Sequence, residues 1–386
     1  MSESVALSAT NWPYNTDTIR LNGTGTDTKF TIQTLSNVNG ESPAYRGCIE
    51  VTRRDEGLII INDIYLEQYL YAVITSEMPE SFGIEALKAQ AVCARSFAIK
   101  QIELGKMAEY GADLDDLASS QTYNDWPETP LAIQAVEETR GQVLLENGAV
   151  IAANYFSTSC GMTADFNDAW PGGTGPVCLK SARQYVSPDF GDLSDDDNFR
   201  RFITTSEIEA TEAGTGWFRW EVSVPRQELD DQIGTVLPTL IDIKQLENDQ
   251  FVPYDGTDLG QLKAIYVYER ASCGMVKSVL LEGQNITVKV NGEYNIRRLL
   301  APIASTVYKL DGSTKEGMSA LPSAFWCAEH TVSEDGALIS VTFYGGGYGH
   351  GVGMSQVGAW KMAEAGADYK AILQHYYSGV QVGFLR

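Results

Sequence analysis

Apolar and polar positions along the chain change period several times, and each change marks a predicted element. From Lys29 to Leu35 (KFTIQTL), and again in CIEVTRR and GLIIIND, short β-branched runs punctuated by turns predict strands. Leu66 to Ile74 reads as a helix. The stretch SEMP, Ser76 to Pro79, then interrupts the pattern. After it comes the strongest helical signal, from about Ile84 to Leu104, with Leu87, Ala91, Ala94 and Ala98 at i, i+4, i+7 and i+11. The small residues of that slim stripe imply close packing against a neighbouring element. Leu131 to Gly141 predicts another helix, closed by its glycine. The runs QVLLENG and GAVIAANYFSTS predict two strands, and Asn147-Gly148 between them is a hairpin signal.

Residues 161–200 are rich in Gly, Pro and Asp and predict a long surface loop. SDDDNFRRFI starts a helix with acidic residues at the end where the helix dipole prefers them. WFRWEVSV predicts a strand, RQELDDQIG a short helix, and Leu240 to Arg298 alternates like a β-meander. The C-terminus runs strand, glycine loop, helix, turn, helix. Residues 1–30, rich in Thr, Asn, Ser and Gly, read as loop with one short strand. Neither an internal repeat nor a long linker is visible. The expectation is an α+β fold, mixed and largely antiparallel in its β structure, with packed helices around a central cleft. Residues 1–55 read as an N-terminal β segment and 56–386 as the main domain.

Composition narrows the function. The 386 residues carry a formal net charge of -23, which disfavours phosphate-backbone binding and anionic membrane surfaces. The plain consequence of such a charge is solubility. The six cysteines lie far apart with no CxxC pair, and the three histidines stand at no metal-ligand spacing, so the expectation is no metal and no cofactor. Cys93 falls among apolar helix positions and reads as a buried small hydrophobe. A disulfide such as Cys160 with Cys178 is compatible with the sequence but not fixed by it. No run approaches the roughly 18 consecutive apolar residues of a membrane span. The N-terminal residues lack the basic-then-apolar export pattern.

Three motifs carry candidate chemistry. The glycine loop Gly345 to Gly353 has neither GxGxxG nor GK[ST] spacing, which argues against a phosphate cradle. Its glycines suit close approach of backbone to another chain segment or to a neutral polymer. His350 sits in that loop near Ser355 and Gln356, with structural and functional roles both open. GxSxG is absent, and no family signature surrounds Cys160, so neither a Ser nor a Cys nucleophile is supported. The third motif is SEMP. Pro79 blocks helix continuation and biases Met78 to extended geometry, so Glu77 falls at a break where its side chain can face a cleft. Its neighbours Val73, Ile74, Met78 and Phe82 are apolar, a setting expected to raise a carboxyl pKa and suit a general acid. Arg95, on the mostly apolar second helix, could pair with a carboxylate or hold a substrate oxygen. The plain alternative is a helix-end Glu and a structural Arg.

Five ordered blocks carry a resemblance: LEQYLYAVITSEMPESFGIEALKAQAVCARSFAI, AVEETRGQVL, YFSTSCGMTADFNDAW, YNIRRLL and GHGVGMSQVGAWKMAEAGADYKAILQHYYSGV. Together they resemble the SpoIID/LytB family from about Ile61 to Val380. The resemblance implies cell-wall work. Its sporulation members look like lytic transglycosylases that cleave the MurNAc–GlcNAc bond of peptidoglycan, while others were described as enhancers of a cell-wall amidase. The family's SEMP glutamate, its catalytic acid, corresponds to Glu77, and its helix arginine to Arg95. A YHSTSGG-like block matches Tyr155 to Gly161, and the closing block places His350 and Gln356. Tyr155, Ser157, Ser159, His350, Gln356 and Arg95 are thereby implied in sugar binding or acid positioning. Cys160 stands where a small residue is usual. Some clostridial members carry a His/Cys zinc site after the main helix, whereas Met107 to Tyr123 has neither residue, so no such zinc is expected.

The implied partners are peptidoglycan glycan strands and, under the second reading, a cell-wall amidase, with no nucleic acid. The implied location is extracytoplasmic, with an export signal not visible in this sequence. One carboxyl can both protonate the leaving oxygen and take the C6 hydroxyl proton as a 1,6-anhydro ring closes. An ordinary glycosidase would need a second carboxylate, for which Glu80, Asp165 and Asp168 are the candidates.

Overall fold

A computed structural model describes residues 7–384 except 9, 11, 26–27, 117–119, 174 and 206. Residues 1–6, 9, 11 and 26–27 of the loop expected over 1–30, and residues 117–119 of the stretch expected to lack zinc, therefore lie outside the described residues. The fold is α+β and divides into two units. Unit 1 holds residues 1–153, 367–370 and 380–386, and unit 2 holds residues 154–366 and 371–379.

In unit 1, β1 (Thr18–Asn22), β2 (Cys48–Arg54) and β3 (Gly57–Asp63) form an antiparallel sheet in that order. Ile49 and Val51 turn one face of it into a small core with Tyr45. The strand expected over Lys29–Leu35 shrinks to Phe30–Thr31, because the chain turns at once, with Leu35 N–H bonded to the Ile32 carbonyl (3.0 Å). α1 spans Leu66–Glu77 and buries Tyr69, Leu70, Val73 and Ile74, an i, i+1, i+4, i+5 face. It runs three residues beyond the expected end at Ile74. Pro79 constrains the residue before it, and Met78 is indeed extended (φ -142°, ψ 129°), but nothing stops Thr75 to Glu77 from staying helical. The last helical hydrogen bond runs from Met78 N–H to the Ile74 carbonyl (2.9 Å). A short 3-10 turn, Glu80–Phe82, and Gly83 at φ 84° lead into α2 (Ile84–Leu104).

α2 is the central rod of unit 1. Leu87, Ala91, Ala94 and Ala98 are all fully buried, so the small stripe does pack closely. It ends at Gly105 in the left-handed conformation (φ 60°). α3 (Pro130–Glu138) has Pro at its first position and Thr129 as N-cap, accepting from Ala132 N–H (3.3 Å). β4 (Gln142–Glu146) and β5 (Ala149–Val150) are joined by Asn147 and Gly148, both at positive φ, as a two-residue hairpin turn requires. The C-terminal strand Gln381–Phe384 pairs antiparallel with the other edge of β4.

Unit 2 contains two five-stranded antiparallel sheets. One is ordered 314–316, 306–309, 220–225, 338–345, 326–332, and the other 250–253, 244–247, 287–291, 276–283, 262–270. Both contribute to one core, with Val222, Phe343 and Trp326 from the first and Val279, Leu281 and Val288 from the second. Leu229 and Ile233 of the helix Arg226–Val236 fill it further, each buried side chain contributing roughly 1.5–3 kcal/mol. The single strand expected over GAVIAANYFSTS is instead two. Its first part is β5 in unit 1, and its second, β6 (Tyr155–Phe156) in unit 2, lies parallel to Met354–Ser355. All six cysteines are free thiols, and Cys93 is buried.

Candidate functional site

The end of α1 lines a cleft of about 580 Å³ within unit 1. Glu77 and Glu80 lie on it, with Met78, Leu87, Trp126 and Pro127 supplying apolar surface. Three consecutive α1 residues stitch the facing loop to the helix. Glu77 Oε1 accepts Thr122 N–H (2.7 Å), Ser76 Oγ accepts Asp125 N–H (3.0 Å), and Thr75 Oγ donates to the Trp126 carbonyl (3.3 Å). The loop is held from other sides as well. Gln121 Nε2 donates to the Ala94 carbonyl (3.3 Å), Tyr123 donates to Asn62 Oδ1 (2.6 Å), and Arg46 clasps Glu128 through Nε (2.8 Å) and Nη2 (2.8 Å). The loop that faces Glu77 is thus pinned from α1, α2, β3 and Arg46.

Arg95 belongs to the same unit but not to this cleft. Its side chain is 0 % exposed and grips Glu67 from Nε (2.9 Å) and Nη2 (2.7 Å). Nη1 also donates to the Gln142 carbonyl (3.0 Å). Of the two roles the sequence left open, the structure makes the carboxylate pair. Arg95 fastens the first turn of α1, through Glu67, to α2 and β4. Its side chain is linked to the helix that carries Glu77 through Glu67 and is itself shut off from solvent.

The other predicted residues gather in unit 2. Tyr155 sits on β6 opposite Met354, and Gln356 opens the helix Gln356–Glu364. Ser159 is buried and turned onto Glu212, giving its N–H to Oε2 (2.9 Å) and its hydroxyl to Oε1 (2.6 Å). Ser355 Oγ donates to the same Oε2 (2.9 Å) and accepts Gly358 N–H (3.2 Å) as the helix N-cap. Glu212 is 1 % exposed. Burial pushes its carboxyl up to about 7 against the three hydrogen bonds that hold it down. Ser157 is half-buried, its hydroxyl 3.1 Å from that of Thr158 and its carbonyl accepting Val357 N–H (2.9 Å). His350 packs by Phe156 and Trp170, and its Nδ1 accepts Val352 N–H (3.0 Å). Burial pushes it down to about 4, which keeps the imidazole neutral at pH 7.

The glycine loop has the first of its two expected reasons. A Cβ at Gly353 would lie 2.0 Å from the Asn154 carbonyl oxygen, and one at Gly347 would lie 2.9 Å from that of Thr158. Another chain segment, 154–160, occupies the space. Asp165 and Asp168 sit in unit 2, paired with Lys180 (2.9 Å) and Lys277 (3.0 Å), while Glu80 shares the Glu77 cleft. Among the described residues no cluster of three metal-ligating side chains occurs, and no helix is long and apolar enough to cross a membrane. Sequence reasoning missed Trp126, Glu67 and Glu212. Trp126 carried a readable signal, an aromatic between Asp125 and Pro127 in a turn-rich stretch. Glu67 and Glu212 carried none, because their partners are distant in sequence.

A cleft built around one helix-end carboxyl in an α+β unit narrows the class, and comparison with known proteins shows what the chain is similar to. Residues 54–145, which contain the whole cleft, match the SpoIID family, described as stage II sporulation protein. Residues 164–353 match a domain family of unknown function. The chain is 28% identical over 316 residues to the amidase enhancer of Bacillus subtilis strain 168, covering 80% of this chain and 39% of that protein. It is 26% identical over 338 residues to the stage II sporulation protein D of the same strain, covering 83% of this chain and 75% of the relative. An uncharacterized protein of Brachyspira hyodysenteriae is 25% identical over 344 residues, or 88% of this chain and 72% of the relative. The match over residues 54–145 and the names of these relatives support a SpoIID/LytB assignment. It spans about two-fifths of the length of the amidase enhancer that it resembles.

Proposed function

We propose that the chain is a peptidoglycan lytic transglycosylase with Glu77 as its acid and base, working outside the cytoplasmic membrane. One observation carries this reading: in a SpoIID-family chain, Glu77 stands at the end of α1 on a concave, largely apolar cleft of about 580 Å³. That volume lies in the range of small-ligand sites and suits one or two sugar rings. Protonated Glu77 donates to the glycosidic oxygen, and the C1–O bond breaks with GlcNAc leaving as its hydroxyl. The resulting carboxylate takes the proton of the MurNAc C6 hydroxyl as O6 bonds to C1. Glu77 ends protonated, and no water enters the balance. The Thr122 N–H on Oε1 orients the carboxyl through both steps.

The test is mass spectrometry of purified glycan strands, with and without stem peptides, after incubation with wild type and with Glu77→Gln. Anhydro-MurNAc ends from wild type alone are expected. Reducing ends would indicate hydrolysis and direct attention to Glu80 as the second carboxylate. The second reading, a glycan-binding module that activates a partner amidase, is favoured by the name of the Bacillus amidase enhancer. It predicts a raised amidase rate on mixing, equal for wild type and Glu77→Gln.

A further inference from the structure

Trp126 stands on the wall of the Glu77 cleft with 52 % of its surface exposed. Its backbone is fixed by the Thr75 hydroxyl, and Asp125 before it by Ser76. The chain therefore spends hydrogen bonds to hold a loop whose largest apolar side chain remains in water. The indole does not stand alone, since Met78, Pro79, Leu87 and Pro127 extend the apolar surface around it. A concave patch of this size fits a small ring better than a protein partner, which needs a far larger area.

Charge selects the ring. Among the described residues, the acidic groups lining the cleft are Glu77 and Glu80, and no Lys or Arg lines it. A sugar bearing a carboxylate gains nothing on this wall, and a neutral ring with one apolar face does. Within the glycan strand, N-acetylglucosamine is neutral, whereas N-acetylmuramic acid carries a lactyl carboxylate. We infer that Trp126 is a stacking platform for N-acetylglucosamine, on the leaving-group side of the bond that Glu77 protonates. This rests on the reading of Glu77 as the acid for its place in the reaction, but the platform itself is a binding site with its own readout. The last turn of α1 then sets acid and platform together, because Thr75, Ser76 and Glu77 hold the loop in sequence. Ser76 and Thr75 are positioning residues in this scheme.

The probe is chitotetraose, a neutral N-acetylglucosamine oligomer, titrated into the full chain by calorimetry and by tryptophan fluorescence. Wild type and Glu77→Gln should bind it alike, and Trp126→Ala should weaken binding about tenfold, the size of a well-placed aromatic contact. Trp126→Phe should keep most of the affinity while removing most of the fluorescence change, which assigns the signal among the seven tryptophans. Equal affinity of Trp126→Ala and wild type overturns the platform, whatever the glycan products are. Trp126-dependent binding without anhydro-MurNAc products supports the platform and overturns the transglycosylase reading instead. Loss of amidase activation in Trp126→Ala with chitotetraose binding intact makes the indole a protein contact and overturns the platform. Tryptophan truncation at an exposed position should leave the loop in place, because its anchors are backbone groups, and Trp126→Phe guards against a folding defect.

Discussion

Arg95 and Glu212 are two buried ionisable groups whose roles a substitution can separate. With Glu67 left behind in partial burial, Arg95→Leu should cost about 3–5 kcal/mol of stability, measured by chemical denaturation. Arg95→Lys keeps the charge but not the two-pronged grip on Glu67, and should lower the melting temperature less. A direct sugar contact predicts instead a raised KM with stability unchanged. Glu212 offers a pH test. Its carboxyl is raised from an ordinary 4.5 to about 7, so in that window the folded chain holds a proton that the unfolded chain releases. The stability it contributes is full below about 4.5 and is lost as pH rises through about 7. Between pH 5 and 8, wild type should therefore lose more melting temperature than Glu212→Gln; parallel curves would place the proton elsewhere.

At the scale of elements, α1 and the glycine loop define what the sequence made legible. The α2 stripe and the Asn147-Gly148 turn are local signals, and the chain obeys them; the SEMP break it obeys only from Met78. The end of α1 was placed too early because Pro79 restrains only Met78, leaving the turn that carries Glu77 helical. The two-part fate of residues 149–156 was not legible, since alternation does not reveal a change of partner. Nor was the stitching of 122–126 to α1, which depends on backbone donors rather than on side-chain pattern. The glycine loop was legible in kind but not in cause. Gly353→Ala should cost about 3 kcal/mol or more, combining the strain of φ 79° with a collision at the Asn154 carbonyl. Gly379→Ala has similar φ, 78°, and open space around it, and should cost only the backbone strain of about 1–2 kcal/mol. Equal losses in urea titrations would mean that segment 154–160 yields.

For the whole molecule, charge and chain path matter most. A net charge of -23 repels itself, so the melting temperature at pH 7.5 should rise between 20 and 500 mM NaCl, each figure about one regime of screening. A fall with salt would mean that specific ion pairs such as Arg46–Glu128 outweigh the general repulsion. The chain path has a different consequence. Most of unit 1 precedes unit 2 in the chain, yet Gln381–Phe384 forms one edge of the sheet centred on β4. On the ribosome, Glu77 and its loop are made well before the strand that closes their unit. Until then β4 has an open edge on that side, able to pair with the same edge of another nascent chain. Synthesis therefore imposes a waiting period on the cleft-bearing unit, and a chain without Gln381–Phe384 would never leave it.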